Sequence, residues 1–279
     1  MDFSKLFPSL TDWINYVAAP PEGSPWEQIR TPLNNVYAPF GALHLVGLAL
    51  LGGCVLLINL RLLGAGISDE RPSFVEKNLR PWLITGACIV IGTGLIIGSL
   101  NISKLFFSPA FYAKMIAMVA ALVFTFGVAN SVAKSEGHVS RNAKIAAAIG
   151  GVIWLYSLGV FGTATGVNPG AVHMIEAGFA ILVIFGTRTR WIGLAVIAAL
   201  LLGDLLMYFV VGMDNQDQIY LDISKYATMA AAVLLVGLLG YEVSTNKAEP
   251  ASPLARVIAL FSILSWVTVA AAGRWIGLS

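Results

Sequence analysis

Gly41-Ala42-Leu43-His44-Leu45-Val46 returns as Gly170-Ala171-Val172-His173-Met174-Ile175, matched position by position at an offset of 129. Each copy heads a long apolar run, and each holds one of only three histidines in the chain. The echo continues downstream. Lys114 is matched by Lys225 at an offset of 111, and Met118 falls on Met229 in the same register. Lys144 with Trp154 is matched by Arg256 with Trp266 at an offset of 112. Ionisable groups inside a membrane are costly. A duplicated His and Lys within apolar helices therefore points to a site, not to packing alone.

The composition sets the class. With 57% hydrophobic and 11% charged residues and a mean hydropathy of +0.80, the chain belongs in a lipid bilayer. Apolar runs of roughly 18 residues or more read as membrane-spanning helices. The sequence predicts eight: 38–60, 82–100, 109–132, 144–164, 169–186, 191–212, 219–241 and 254–276. The expected fold is thus all-α and polytopic, with two parallel four-helix repeats over 38–164 and 165–279. Each half has an even number of helices, so both halves insert in the same sense, about an axis along the membrane normal. The net charge of +2 argues against a nucleic-acid partner. Cys54 and Cys88 fall inside predicted spans and read as small apolar fillers.

Residues 1–37 form a segment ahead of the first span. They lack the basic start and cleavage site of a secretory signal. Leu10, Trp13, Ile14 and Val17 fall at helical spacing, which predicts an interfacial helix over 8–18. Pro20, Pro21, Pro25 and Pro32 predict a stiff, extended lead into the first span. Orientation follows from Lys and Arg. Eleven basic residues fall on one side (Arg61, Arg71, Lys77, Arg80, Lys134, Arg141, Lys144, Arg188, Arg190, Lys247, Arg256) and six on the other (Lys5, Arg30, Lys104, Lys114, Lys225, Arg274). The richer side is expected in the cytoplasm, with both termini outside and the chain in the bacterial inner membrane.

Depth counting puts His44, His173, Lys114, Lys225, Glu176, Asp204 and Arg274 in the outer half of the bilayer. Gly41 and Gly47 flank His44, and Gly170 and Ala177 flank His173, leaving room for a flat, bulky group. Neutral imidazole is a common axial ligand of haem iron. Two histidines related by a twofold could clasp one iron, and lysines with Arg274 could meet propionates. The alternative is that each histidine bonds a carbonyl or Glu176 across a helix interface. Imidazole and thioether also suit Cu(I), and Met115, Met118, Met174, Met207 and Met229 lie in the same half. Gly52-Gly53, Gly92-Thr93-Gly94 and Gly150-Gly151 mark places for close helix contact. Glu176 and Asp204 are read either as proton-coupling groups or as counter-ions of the lysines. His138, in a loop, reads as solvated.

Four features taken together resemble the HemJ-type protoporphyrinogen oxidase module. They are a first span headed by His44, an Arg80-bearing approach to a Gly-rich second span, an early Lys114 in the third, and a basic start at Lys144 to the fourth. The duplicated form resembles the CopD family of copper-resistance membrane proteins. The likeness covers most of 38–276. It implies a four-helix module binding b-type haem, with His44 and His173, Lys114 and Lys225 in the family's His and Lys positions. The third-span His-x-Lys of the HemJ type is Tyr112-x-Lys114 here and Ile223-x-Lys225 in the second half. The oxidase activity itself is therefore set apart from what the likeness implies. The expected function is haem-based electron transfer with a redox partner or quinone. The alternatives are copper transport or resistance, or a non-catalytic membrane subunit.

Overall fold

The computed structural model describes residues 8–64, 67, 69–162, 189–213, 217–245 and 251–276. His173, Met174, Glu176 and the span expected over 169–186 lie outside these residues. The described residues are helical, with no strand among them. In chain order the helices are α1 (Pro8–Ala18), α2 (Pro25–Asn35), α3 (Tyr37–Leu63), α4 (Pro72–Leu100), α5 (Ile102–Phe106), α6 (Pro109–Lys134), α7 (Arg141–Phe161), α8 (Thr189–Val211), α9 (Gln218–Thr245) and α10 (Pro253–Trp275). Seven of them, α3, α4 and α6–α10, are long and apolar enough to cross a membrane. The chain is a membrane protein.

Two local readings of the sequence are corrected. The second span starts at Pro72, well before Trp82, because the polar turns carrying Glu76 and Arg80 are helical and extend α4 past its apolar stretch. The second part of the proline-rich lead, Pro25–Asn35, is helical too, while Pro20 and Pro21 stand outside any helix. Ser24 caps α2 by accepting the Glu27 amide at 3.3 Å, while the Glu27 carboxylate reaches back to the Gly23 amide at 2.6 Å. Proline at the first helical position lacks only an N–H that would have gone unused.

The chain divides into two compact units. The first holds residues 1–54 and 79–108. In it α1 packs against α5, burying Ile14 and Val17 and leaving Trp13 54% exposed. Trp26 Nε1 closes the end of α1 by donating to the Val17 carbonyl at 2.9 Å. Within this unit α3 and α4 cross closely in one antiparallel register. A Cβ on Gly47 would come within 2.7 Å of Ile89 Cγ2, and one on Gly86 within 2.7 Å of the Leu51 backbone nitrogen.

The second unit holds residues 55–78 and 109–279. Here α10 is central, packing on α6, α7 and α9. Trp154 Nε1 donates to Thr268 Oγ1 at 3.0 Å, and Trp266 Nε1 donates to Thr125 Oγ1 at 2.8 Å. Thr125 lies in a π-helical stretch, Val123–Ala129, that interrupts α6. Asn59 of α3 donates to Ser262 Oγ at 3.1 Å, while its Oδ1 has no hydrogen-bond partner among the described residues. An unmet buried acceptor costs about 1–3 kcal/mol, and an interhelical bond in a membrane returns about 0.6 kcal/mol on average. Asn59 therefore does not stabilise the fold as it stands.

One end of this unit is tied by polar contacts. Lys134 pairs with buried Glu76 at 3.8 Å, and Ser73 donates to the Glu136 carboxylate. Arg61 donates to the Glu70 carbonyl, and Arg256 to the carbonyls of Ala251 and Val243 at 3.2 and 3.3 Å. The α6–α7 loop turns at Gly137 (φ +84), where a Cβ would collide with Ala251 Cα. Its carbonyl accepts from the Ser252 amide at 3.3 Å and the Ser252 hydroxyl at 3.2 Å. The α8–α9 hairpin is clamped twice, by Thr189 donating to Glu242 at 2.9 Å and Tyr220 donating to Asp204 at 3.0 Å.

Candidate functional site

His44 sits two turns into α3, half-buried, where the α3–α4 crossing brings it to α4. Its Nδ1 lies 2.7 Å from Thr93 Oγ1. The Thr93 hydroxyl has one proton, and the Ile89 carbonyl at 2.6 Å takes it. The hydroxyl then meets His44 through a lone pair, so Nδ1 carries a proton. The next residue of α4 is Gly94, where a Cβ would lie 3.4 Å from His44 Cε1. Thr93 and Gly94 thus fix the direction and the seat of the ring.

The glycines beside His44 divide the work. A Cβ on Gly41 would meet nothing within 4 Å, whereas the space at Gly47 is filled by Ile89 and Val90. Room beside His44 on its own helix is therefore at Gly41, and Gly47 serves helix packing.

In the second unit, half-buried Lys114 of α6 lies on Gly273 of α10. A Cβ there would stand 3.5 Å from Nζ and 3.6 Å from both Cδ and Cε. Among the described residues no carboxylate pairs with Lys114. Arg274 follows Gly273 and is exposed. Lys225 is half-buried on α9, with its carbonyl taking the Thr228 hydroxyl at 2.9 Å. Asp204 is engaged with Tyr220, and among the described residues it pairs with neither lysine. His138 is exposed, as a solvated loop residue should be. Met118 packs against Ala117, Ala121 and Val269, a plain core role. Among the described residues no three His, Cys, Asp or Glu side chains gather as a metal cluster.

In the first unit the His44 imidazole is held through Nδ1 by Thr93. A bond at the remote ring nitrogen is what orients a ligating histidine and raises its basicity. Sequence reasoning missed Thr93 and Gly273. Thr93 is the middle residue of a Gly-x-Gly already singled out, but a lone hydroxyl gives no ionisable signal.

The model of a family of unknown function, DUF6644, matches residues 22–168, just over half of the chain. The chain belongs to the DUF6644 family. The match to DUF6644 takes in His44, Thr93, Gly94 and Lys114, and stops before His173, Lys225 and Arg274. No curated protein and no solved structure matches the chain.

Proposed function

We propose that this chain binds a b-type haem in the outer half of the bacterial inner membrane and works in electron transfer with a redox partner or quinone. The observation that carries the reading is the His44–Thr93 contact, which fixes the direction of the imidazole. His44 and His173 supply the imidazoles, while Lys114, Lys225 and Arg274 offer cations to the propionates. The haem itself supplies the one-electron chemistry. The protein holds it, orients the His44 ring through Thr93, and excludes water with apolar helices.

The same reading includes eight spans in two parallel four-helix repeats, with both termini outside. Two observations support it. The DUF6644 match covers the first four spans with their lead and little more. In addition, the α6–α7 loop is hydrogen-bonded at Gly137 to Ser252 in the α9–α10 loop. Three described spans lie between those loops, and three crossings would leave them on opposite faces of the membrane. A fourth crossing, expected over 169–186, returns them to the same face.

The test is an absorption spectrum of the purified chain in detergent, oxidised and then reduced. A Soret band with a b-type α band, lost in His44→Ala, is the expected result. Imidazole also suits a copper ion, so copper without haem on metal analysis favours the copper reading. A colourless, metal-free protein overturns both.

A further inference from the structure

Asp204 is the only acidic residue of α8. At about 1.5 Å per residue it lies about 22 Å along the helix from Thr189, inside a hydrocarbon core about 30 Å thick. Its face of the helix is open. Asp204 is exposed, Leu201 and Tyr208 on the same side are 61% and 57% exposed, and no residue from Leu194 to Leu206 is buried. Tyr220 donates to Asp204 Oδ1 at 3.0 Å, and Oδ2 has no donor among the described residues. An ionisable group within a span normally faces a partner and not lipid.

The first repeat shows what such a partner would be. His44 meets Thr93 there, and the same register continues three and seven residues on along α3, where Gly47 meets Val90 and Leu51 meets Gly86. Gly92-Thr93 returns as Gly203-Asp204 at an offset of 111, the offset that also carries Lys114 to Lys225. His44 returns as His173 at an offset of 129. The two offsets thus carry His44 and Thr93 to His173 and Asp204, and Leu51 and Gly86 to Ala180 and Ile197. In the latter pair a large residue still opposes a small one, with the sides exchanged. Ile197, Leu201 and Asp204 follow at helical spacing on one face of α8.

Chain length gives the same register independently. The span expected over 169–186 ends two residues before Thr189, and so short a connection makes an antiparallel helical hairpin. His173 lies 13 residues before position 186 and Asp204 lies 15 after Thr189. The two therefore match in height to within about 3 Å.

We infer that the segment 169–186, outside the described residues, covers this face of α8, and that Asp204 holds the His173 imidazole as Thr93 holds that of His44. A ring N–H donated to a carboxylate orients a ligating histidine, which makes Asp204 a positioning residue. Glu176 takes the place of Gly47 and sets the two helices farther apart. The aspartate oxygen reaches one bond farther than a threonine hydroxyl and spans that gap, while Tyr220 steadies the other oxygen. The inference rests on the two-repeat reading above and not on the haem.

Two measurements on the full chain in detergent test it. In a background with Cys54 and Cys88 changed to Ala, Ala180→Cys with Ile197→Cys should form a disulfide several-fold faster than Leu182→Cys with Ile197→Cys. Position 182 lies on the opposite side of the same helix. With nitrogen-15 histidine, the Nδ1 proton of His173, assigned by its loss in His173→Gln, should stand far downfield and disappear in Asp204→Leu. Asp204→Asn, whose amide oxygen still accepts, should keep it. No preference between the cysteine pairs overturns the register and the pairing with it. A disulfide in that register with the His173 signal unchanged in Asp204→Leu overturns the role of Asp204 alone. Failure of the two-repeat reading shows separately, as labelling of positions 138 and 252 from opposite membrane faces. Failure of the haem reading shows as a missing b-type spectrum and leaves both readouts intact.

Discussion

His44 on α3 faces Thr93 on α4 at 2.7 Å, in the same antiparallel register that sets Gly47 against Ile89 and Leu51 against Gly86. The imidazole is therefore aimed by the packing of two long helices and not by a loop. Close approach at Gly47 and Gly86 is what lets a short threonine side chain reach the ring.

Thr93→Val keeps the shape and removes the hydroxyl. Loss of such an outer partner typically costs about 10- to 100-fold in metal-site affinity. On the haem reading, Thr93→Val should lose haem by that factor on dilution, whereas Thr93→Ser should hold it. A haem-to-protein ratio in Thr93→Val equal to the wild type would remove Thr93 from the site.

The glycines yield a paired test. At Gly86 an added Cβ meets the Leu51 backbone, which cannot swing away, while at Gly52 it meets nothing within 4 Å. Overpacking costs about 1–3 kcal/mol, so Gly86→Ala should lower thermal stability clearly and Gly52→Ala should leave it nearly unchanged. The reverse order would mean the α3–α4 crossing is misassigned.

This pair also marks how far the sequence could be read. Long apolar runs located seven spans to within a few residues, except at α4, whose polar first turns hid its start at Pro72. The spacing of Ile14 and Val17 was enough to find α1, because a half-buried helix repeats at 3.6 residues. Contacts between distant residues were not legible. Of the glycines singled out in the sequence, Gly52, Gly53, Gly92 and Gly151 have open space at Cβ, while Gly150 packs against Phe124 and Gly94 against His44. Neither Thr93 nor Asn59 carries a charge, so neither stood out until tertiary structure gave each a partner. The Ser24–Glu27 cap of α2 is legible as Ser-x-x-Glu, the spacing of a capping box.

Gly137 is held by conformation and by space, with φ at +84 and Ala251 against its Cα. A non-glycine residue in that region costs about 1–2 kcal/mol, and the collision adds about 1–3 kcal/mol. Gly137→Ala should thus destabilise the chain by about 2 kcal/mol or more, read as a lower unfolding temperature in detergent. A variant as stable as the wild type would show that the α6–α7 loop does not close on Ser252.

That same contact makes the membrane topology testable. In a background with Cys54 and Cys88 changed to Ala, His138→Cys and Ser252→Cys should be labelled from the cytoplasmic face by a membrane-impermeant thiol reagent. Asp217→Cys, in the α8–α9 connection, should be labelled only from outside. The excess of Lys and Arg on the loops that hold His138 and Ser252 sets the direction, and the Gly137–Ser252 hydrogen bonds set the pairing. Labelling of positions 138 and 252 from opposite faces would mean three crossings between them. The eighth span, the parallel repeats and the shared position of His44 and His173 near one membrane face would then all fall together.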